Sequence, residues 1–547
     1  MSKNPADFRV MLVYPNLPLM LVPALAMGIF TKILKDQGYQ VAFFETTQYV
    51  AGESSSPENR VKLLQARSFD YERDLGITML ESDMFADFRS KVLEFKPDLL
   101  VVSAVEDAFL QAVDLLKGIQ DLNIPHIVGG IFPTAAPELC MKQPAVKMIG
   151  LGEGESTILE VAERVRKGES LIGVPGTWIR DSDGSILRFV NGPVVNINDS
   201  VPDFSLFNER RFYRPMGGRI FKTVPIETYR GCPYACTYCN SPMQRAFAKD
   251  QNSGKFLRRK TMKVLRQEMR EIIDRYNPEF FYIIDDSFLA RPKKEIWDFC
   301  DMYEEFKLPF WFNTRPENCE IDIMARLKEV GAYRISFGIE CGNEQFRKKV
   351  LDRNVSNEHL LERFDIIARS GIPFSVNLII GFPGETRDLI MDTVEFVRSI
   401  SGYDTLTVSI FTPYHGTALH KVAVANDWLA PETITKHTTA RSILNMPAPY
   451  VSADDIDNLA SVLPLYCYFP KTEWAALQRA ETPDEEGLRL RHHYGEIYKK
   501  EFLGMTQDDR KAVLIEGGSG CRSNPKDSFR LSPLRLSDEE VMRLVVS

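Results

Sequence analysis

Two stretches of the chain alternate short, unbroken apolar runs with segments of helical period, and this alternation restricts the fold more than any other feature. In the first, residues 8–14 (FRVMLVY), 39–45 (YQVAFFE) and 98–104 (DLLVVSA) read as strands, followed by shorter runs at 126–128 and 146–149. Helical periods separate them at 24–37, ended by Gly38, and at 84–95. Strands that are apolar at every position bury both faces, so they pair in parallel beneath helices on either side. Ligands of such sheets bind beyond the carboxyl ends of the strands. Asn16, Ser103, Gly129, Gly130, Gly152, Glu153 and Gly154 all fall there.

The alternation restarts at residue 224. Strands at 224–229, 280–284, 309–313, 333–339, 374–380 and 405–412 are separated by helices at 260–276, 293–306, 321–330, 356–370 and 385–400. Six βα units are too few for a closed eight-fold barrel and suffice for a partial one. Between the two blocks, 173–200 reads as a hairpin around Asp183-Gly184, followed by a linker. The expected fold is α/β: a doubly wound parallel sheet over 1–172, a hairpin and linker over 173–221, a partial (βα)6 barrel over 222–430, and a mostly helical C-terminal cap over 431–547. The apolar stretch 10–30 mimics a secretory leader, but Pro15, Pro18, Pro23 and Asn16 interrupt it. It reads as strand, loop and helix start, no other run is long enough to span a bilayer, and the chain is expected in the cytoplasm.

With 67 Lys+Arg against 75 Asp+Glu the net charge is −8, which speaks against a nucleic-acid-binding surface. Nine cysteines in 547 residues are too sparse for a disulfide scaffold. Three of them, Cys232, Cys236 and Cys239, lie within eight residues just after a strand. A structural zinc site takes four ligands, and the next Cys and His are as distant as Cys300 and His359. A [4Fe-4S] cluster on three thiolates, with one iron open to a ligand, suits the spacing better than zinc or a disulfide.

CxxxCxxC with Tyr238 before the last cysteine, on the loop after the first strand of a βα-repeat domain, resembles the radical SAM enzymes. The resemblance continues through Asp285-Asp286 after the second strand, Glu340-Cys341-Gly342 at the fourth, 381–385 (GFPGE) at the fifth and 413–416 (PYHG) after the sixth, covering residues 222–430. It implies a cluster whose open iron binds S-adenosyl-L-methionine and whose electron releases a 5′-deoxyadenosyl radical. It further implies that Tyr238, Glu340, Gly381 and Gly384 contact S-adenosylmethionine: the glycines by close backbone approach, Glu340 as acceptor for ribose or ammonium, Tyr238 beside the adenine. Other readings stay open. Glu385 also suits a strand–helix turn, Glu340 an ordinary surface carboxylate, and Asp285 and Asp286 a helix N-cap pair.

The first sheet resembles the cobalamin-binding domain that precedes the radical SAM domain in one large subclass. Ser103, Gly129-Gly130 with Pro133-Thr134, and Gly152-Glu153-Gly154-Glu155 carry that resemblance. It implies a corrin and its nucleotide tail on these turns, with Ser103 bonded to the dimethylbenzimidazole. After the first strand, however, stands Asn16-Leu-Pro-Leu-Met-Leu in place of DxHxxG, and the first histidine is His126. Cobalamin is therefore expected without a histidine lower ligand. A sheet for NAD or another nucleotide, or one that has lost its ligand, is the alternative.

Of the other cysteines, Cys140, Cys300 and Cys467 read as core, Cys319 and Cys521 as loop thiols, and Cys341 as a candidate at the cavity. The aromatic run 466–474 packs on the barrel or lines a pocket, His492-His493 faces solvent, and 482–486 and 517–524 read as exposed loops. Together these features imply a cobalamin-dependent C-methyltransferase acting on an unactivated carbon. Its substrate would be a small molecule, lipid or natural product, and its electron donor external, such as flavodoxin or ferredoxin. No nucleic-acid partner is expected. A non-methylating radical enzyme and an iron–sulfur sensor are the competing classes. No catalytic side chain is singled out.

Overall fold

The computed structural model describes residues 2–50, 56–435, 437 and 441–504. The first sheet runs in the order β2-β1-β3-β4-β5-β6-β7. Its strands are β1 (Arg9–Tyr14), β2 (Gln40–Glu45), β3 (Leu99–Ser103), β4 (His126–Gly129), β5 (Met148–Gly150), β6 (Thr177–Arg180) and β7 (Ile186–Arg188). β1 to β5 pair in parallel, and the central β1 and β3 are buried along nearly their whole length, as a sheet covered on both faces requires. The hairpin differs from expectation: β6 pairs antiparallel with β5, so β6 and β7 extend the first sheet past residue 172. Residues 10–30 form β1, a loop and the start of the helix Leu25–Asp36. No helix among the described residues is long and apolar enough to cross a membrane.

The second sheet follows β8 (Tyr213–Met216), β9 (Arg219–Ile226) and a two-stranded ribbon of β10 (Tyr229–Arg230) with β11 (Arg258–Arg259). It continues through β12 (Phe280–Ile283), β13 (Phe310–Thr314), β14 (Ala332–Glu340), β15 (Phe374–Ile380) and β16 (Thr405–Ile410). The order β16-β15-β14-β13-β12-β9-β8 holds six parallel strands and an antiparallel edge, an open half-barrel. That edge strand begins nine residues ahead of the expected boundary, because β8 and β9 pair around Gly217-Gly218. Helices between strands start where a hydroxyl caps them, as Thr261, Ser356 and Thr386 do.

One apolar core runs through both sheets. The segment after β7 supplies the bridge: Phe207 packs on Phe43 at 4.7 Å between ring centroids, and Phe212 on Tyr276 at 5.6 Å. Helices Ala453–Ala460, Leu463–Tyr468, Trp474–Ala480 and Glu485–Glu501 close over the barrel. There the Arg398 guanidinium donates to the carbonyls of Tyr466 and Phe469, and Arg387 pairs with Glu481. The aromatic run around Tyr466 is thus packing, and His492 and His493 are exposed, as expected. Residues 517–524 and Cys521 lie outside the described residues.

Candidate active site between the two sheets

The carboxyl ends of the two sheets front a shared space. One cavity of about 300 Å³ is bounded by Ser103, Gly129, Gly130 and Gly154 on the first sheet and by Glu227 and Arg230 on the second. A second, of about 280 Å³, lies between Gly130, Gly152 and Glu153 on one side and Tyr229, Gly231 and Asp286 on the other. Ser103, Gly129, Gly130, Thr134, Gly152, Glu153, Gly154 and Glu155 therefore border this space, and Pro133 does not. Gly130 makes it possible: its φ is +120°, and a Cβ there would lie 2.5 Å from the Ala104 carbonyl oxygen.

Two first-sheet residues serve the protein instead of the space. The Asn16 amide donates to the Met20 carbonyl and the Thr47 hydroxyl, which folds the loop after β1. Glu153 accepts from Arg258 with both oxygens, from Arg230, and from the Val195 backbone N–H. Burial would raise its carboxyl, but Arg258 and Arg230 outweigh it and hold it low. Arg230 also pairs with Glu155 and Glu227, so this cluster ties the first sheet to the strand before the cysteines. Sequence reasoning missed Arg230, although it directly precedes Gly231-Cys232. His126, at the amino end of β4, points its ring to the Lys147 backbone N–H, on the opposite edge from the cavities.

The cysteine loop is anchored from below. Asp285 accepts from the backbone N–H groups of Thr228 and Tyr229, from the Thr228 hydroxyl and from Arg291. Neither it nor Asp286 caps a helix, because the next helix starts at Lys293, behind Pro292; the N-cap reading is corrected on that distance. Asp286 opens on the second cavity, and its carboxyl is pushed up to about 6 by burial and by Asp285 and Glu227.

Cys232, Cys236 and Cys239 are all free thiols. Burial pushes Cys232 up and Cys239 up to about 12, and Cys236 adds to both, so the three lie within electrostatic reach of one another. Arg315 donates to Cys236 Sγ at 2.6 Å, and the Ser241 N–H to Cys239 Sγ at 3.4 Å. Donors aimed at sulfur suit thiolates, and three thiols without a fourth partner suit a cluster with one open iron. Among the described residues, no three Cys, His, Asp or Glu side chains are drawn into a closed metal cage.

Beyond the loop, Glu340 ends β14 at a bulge with φ +65°. Burial raises its carboxyl against the pull of Arg353 and Arg315, and Tyr238 beside it is raised by burial and by Glu340. Arg353, which sequence reasoning also missed, is 1% exposed and donates to Glu340 at 3.4 Å. Its Nε and Nη2 make no hydrogen bond, although Nη2 lies 3.7 Å from Glu317 Oε2 in an ion pair. A buried guanidinium with unfilled donors beside a carboxylate matches the two charges of an amino-acid headgroup.

The turn after β15 is built differently from expectation. Gly381, with φ +82°, lies against Ile456, which a Cβ would meet at 2.8 Å, and the Gly384 N–H meets Met446 Sδ. Glu385 is fully buried and accepts from the Gly381 and Phe382 N–H groups, so its carboxylate serves the strand–helix turn. Both glycines are thus used by the C-terminal cap. Cys341 is no cavity residue: it is buried against Thr393, and burial pushes its thiol up to about 12. Cys319 is likewise fully buried instead of a loose loop thiol, whereas Cys140, Cys300 and Cys467 are core as expected.

Two family models match the chain: the radical SAM superfamily over residues 226–397 and the B12 binding domain over 61–162. An uncharacterized methyltransferase of Pyrococcus horikoshii is 25% identical over 386 residues, 69% of this chain and 80% of that protein. Cytidylyl-2-hydroxyethylphosphonate methyltransferase of Streptomyces wedmorensis is 23% identical over 439 residues, 72% of this chain and 78% of its own. Among solved structures, OxsB with aqua-cobalamin and S-adenosylmethionine bound superposes with a TM-score of 0.60 at 15% identity, covering 92% of this chain and 74% of OxsB. The methyltransferase TsrM of Kitasatospora setae, with tryptophan and an S-adenosylmethionine analogue bound, gives 0.55 at 17% identity over 77% of each chain.

Proposed function

We propose that this chain, which belongs to the radical SAM proteins carrying a B12-binding domain, is a cobalamin-dependent methyltransferase acting on an unactivated carbon of a small molecule, lipid or natural product. The observation that carries this reading is the space shared by the turns of the first sheet and by Tyr229, Arg230 and Gly231, which lead into Cys232. When bound, the cluster and S-adenosylmethionine supply a 5′-deoxyadenosyl radical, and cobalamin supplies a methyl group.

Cys232, Cys236 and Cys239 would hold the cluster, with Arg315 and the Ser241 N–H offsetting thiolate charge. Arg353 would take the carboxylate of S-adenosylmethionine, while Glu340 and Asp286 are the acceptors available to its ammonium and ribose. Tyr238 would lie beside the adenine. Ser103 and the backbone at Gly129, Gly130, Gly152 and Gly154 would receive cobalamin, whereas Glu153 would hold the domains around it. Within the first sheet's own segment the one histidine, His126, stands at the far end and Asn16 is committed to its own loop, so cobalt would receive no histidine ligand from that segment. An external carrier such as flavodoxin or ferredoxin would deliver the electron.

Anaerobically reconstituted protein, given S-adenosylmethionine and dithionite, is expected to form 5′-deoxyadenosine, and to form S-adenosylhomocysteine only when cobalamin is added. 5′-Deoxyadenosine with no cobalamin-dependent S-adenosylhomocysteine would point to a non-methylating radical enzyme. Neither product, from protein with a full iron–sulfur spectrum, would leave the sensor reading.

A further inference from the structure

The turns of the two sheets are also joined through a carboxylate, Glu106, and two imidazoles, of which His415 belongs to the 413–416 motif after β16. Glu106 opens the helix Glu106–Lys117, three residues after Ser103, and is 4% exposed. All of its hydrogen bonds go to the other half of the molecule. Its Oε1 accepts from His415 Nδ1 at 2.7 Å and from the Thr435 N–H at 3.0 Å, and its Oε2 accepts from the His415 N–H at 2.9 Å. His415 lies on the loop after β16, and its carbonyl accepts from the Asn240 amide at 2.8 Å. Asn240 directly follows Cys239. From the Ser103 turn to the cysteine loop the link is therefore Glu106, His415 and Asn240, with no other side chain between.

The imidazole is fixed from both sides. Phe132, two residues beyond Gly130, meets it edge-on at 5.5 Å between centroids, and His420 lies at 4.2 Å. The next residue, Gly416, sits where a Cβ would come within 3.2 Å of both Met243 behind the cysteines and Ala135 of the first domain. Burial lowers the His415 pKa, but the Glu106 bond and charge more than offset this and raise it, while His420 is driven down to about 4 and stays neutral. The pair is thus a directional, charge-assisted contact enclosed at the junction.

We propose that Glu106 and His415 are positioning residues, a latch that sets the spacing between the cobalamin site and the cluster site. This rests on the functional reading above, because only a reaction passing a group from one site to the other needs that spacing. The apolar bridge around Phe204 and Phe207 holds the domains together without directionality, whereas the latch fixes one turn against the other.

The test compares wild type with Glu106→Gln, which places an amide donor against the His415 N–H. His415→Gln, which keeps that N–H, serves if the first variant does not fold. In protein loaded with cob(II)alamin and a reduced cluster, pulsed dipolar EPR is expected to give one narrow distance for wild type and a shifted or broadened one for the variant. An unchanged distribution overturns the proposal. In parallel, cobalamin-dependent release of S-adenosylhomocysteine from S-adenosylmethionine is followed with titanium(III) citrate as the reductant. That rate is expected to fall about a hundredfold, the scale an ångström of misplacement costs. 5′-Deoxyadenosine formation, which needs only the barrel, is expected to stay near wild type. Equal losses in both rates, or none in either, overturn the latch. Wild-type protein that makes neither product overturns the methyltransferase reading instead, and the EPR comparison still judges the latch.

Discussion

His420 shows how the junction treats charge one residue at a time. Its ring is 8% exposed, its Nε2 makes no hydrogen bond, and burial followed by His415 holds its pKa down at about 4. An unfolded histidine titrates near ~6.5, so between that pH and about 4 the unfolded chain binds the extra proton. The neutral ring's contribution is therefore complete above pH 6.5 and is lost as pH falls through 4. A gap of that size is worth on the order of 3 kcal/mol. His420→Phe removes the titration and keeps the ring. Denaturant unfolding of both proteins at pH 7 and at pH 4.5 should show the variant gaining on wild type in acid by a large part of that amount. Parallel pH curves would mean that the buried ring does not titrate as the structure implies. His415 behaves oppositely: its raised pKa gives stability that is full below 6.5 and disappears as pH rises through the folded value.

Gly129, which ends β4, and Gly130 directly after it show what a strand-to-helix turn demands. At Gly130 the backbone has φ +120° and a Cβ would lie 2.5 Å from a backbone oxygen, which cannot swing aside; at Gly129 the nearest atom would be 3.8 Å away, ordinary contact. Gly130→Ala is expected to cost roughly 2–3 kcal/mol and to displace the turns that face cobalamin, whereas Gly129→Ala should be nearly neutral. Thermal melts of the two variants, with corrin binding followed by absorbance, decide it; similar melts for both would refute the turn geometry. Both glycines stood out in the sequence as a pair, and only the chain's path separates their roles. The same holds for other elements. The central strands of the first sheet, β1 and β3, were legible because they are buried on both faces and hence apolar. By contrast, β14 and β16 alternate buried and half-buried positions and were legible from the helical periods between them. The pairing of β6 with β5 was not, since an Asp-Gly turn specifies a hairpin but not the strand it joins. Asp285 and Asp286 were left open between a cofactor role and a cap, although the helix expected from 293 already put residues 287–292 between them and its start. Arg353 carried no local signal at all: its partners Glu340 and Glu317 lie 13 and 36 residues away.

At the scale of the molecule, the domains are joined by two kinds of contact with different consequences. The apolar core is continuous through both sheets, and the ionic cluster at the cavities consists of Arg230 and Arg258 among Glu153, Glu155 and Glu227. A buried pair contributes little against an apolar substitute, but removing one partner strands the others, at a cost of about 3–5 kcal/mol. Arg230 contacts three carboxylates that are each at most 20% exposed, so Arg230→Met should reach the upper part of that range. The unfolding should nonetheless remain a single calorimetric transition, because the aromatic bridge of Phe43, Phe207, Phe212 and Tyr276 still couples the sheets. If the charges instead carried the coupling, the variant would melt in two steps. Adding Glu227→Gln to Arg230→Met neutralises the carboxylate that Arg230 holds with two hydrogen bonds, whereas Glu153 keeps Arg258, so the double variant should regain part of the lost stability. A double variant less stable than Arg230→Met would show that the Glu227 carboxylate is not the charge stranded by loss of Arg230.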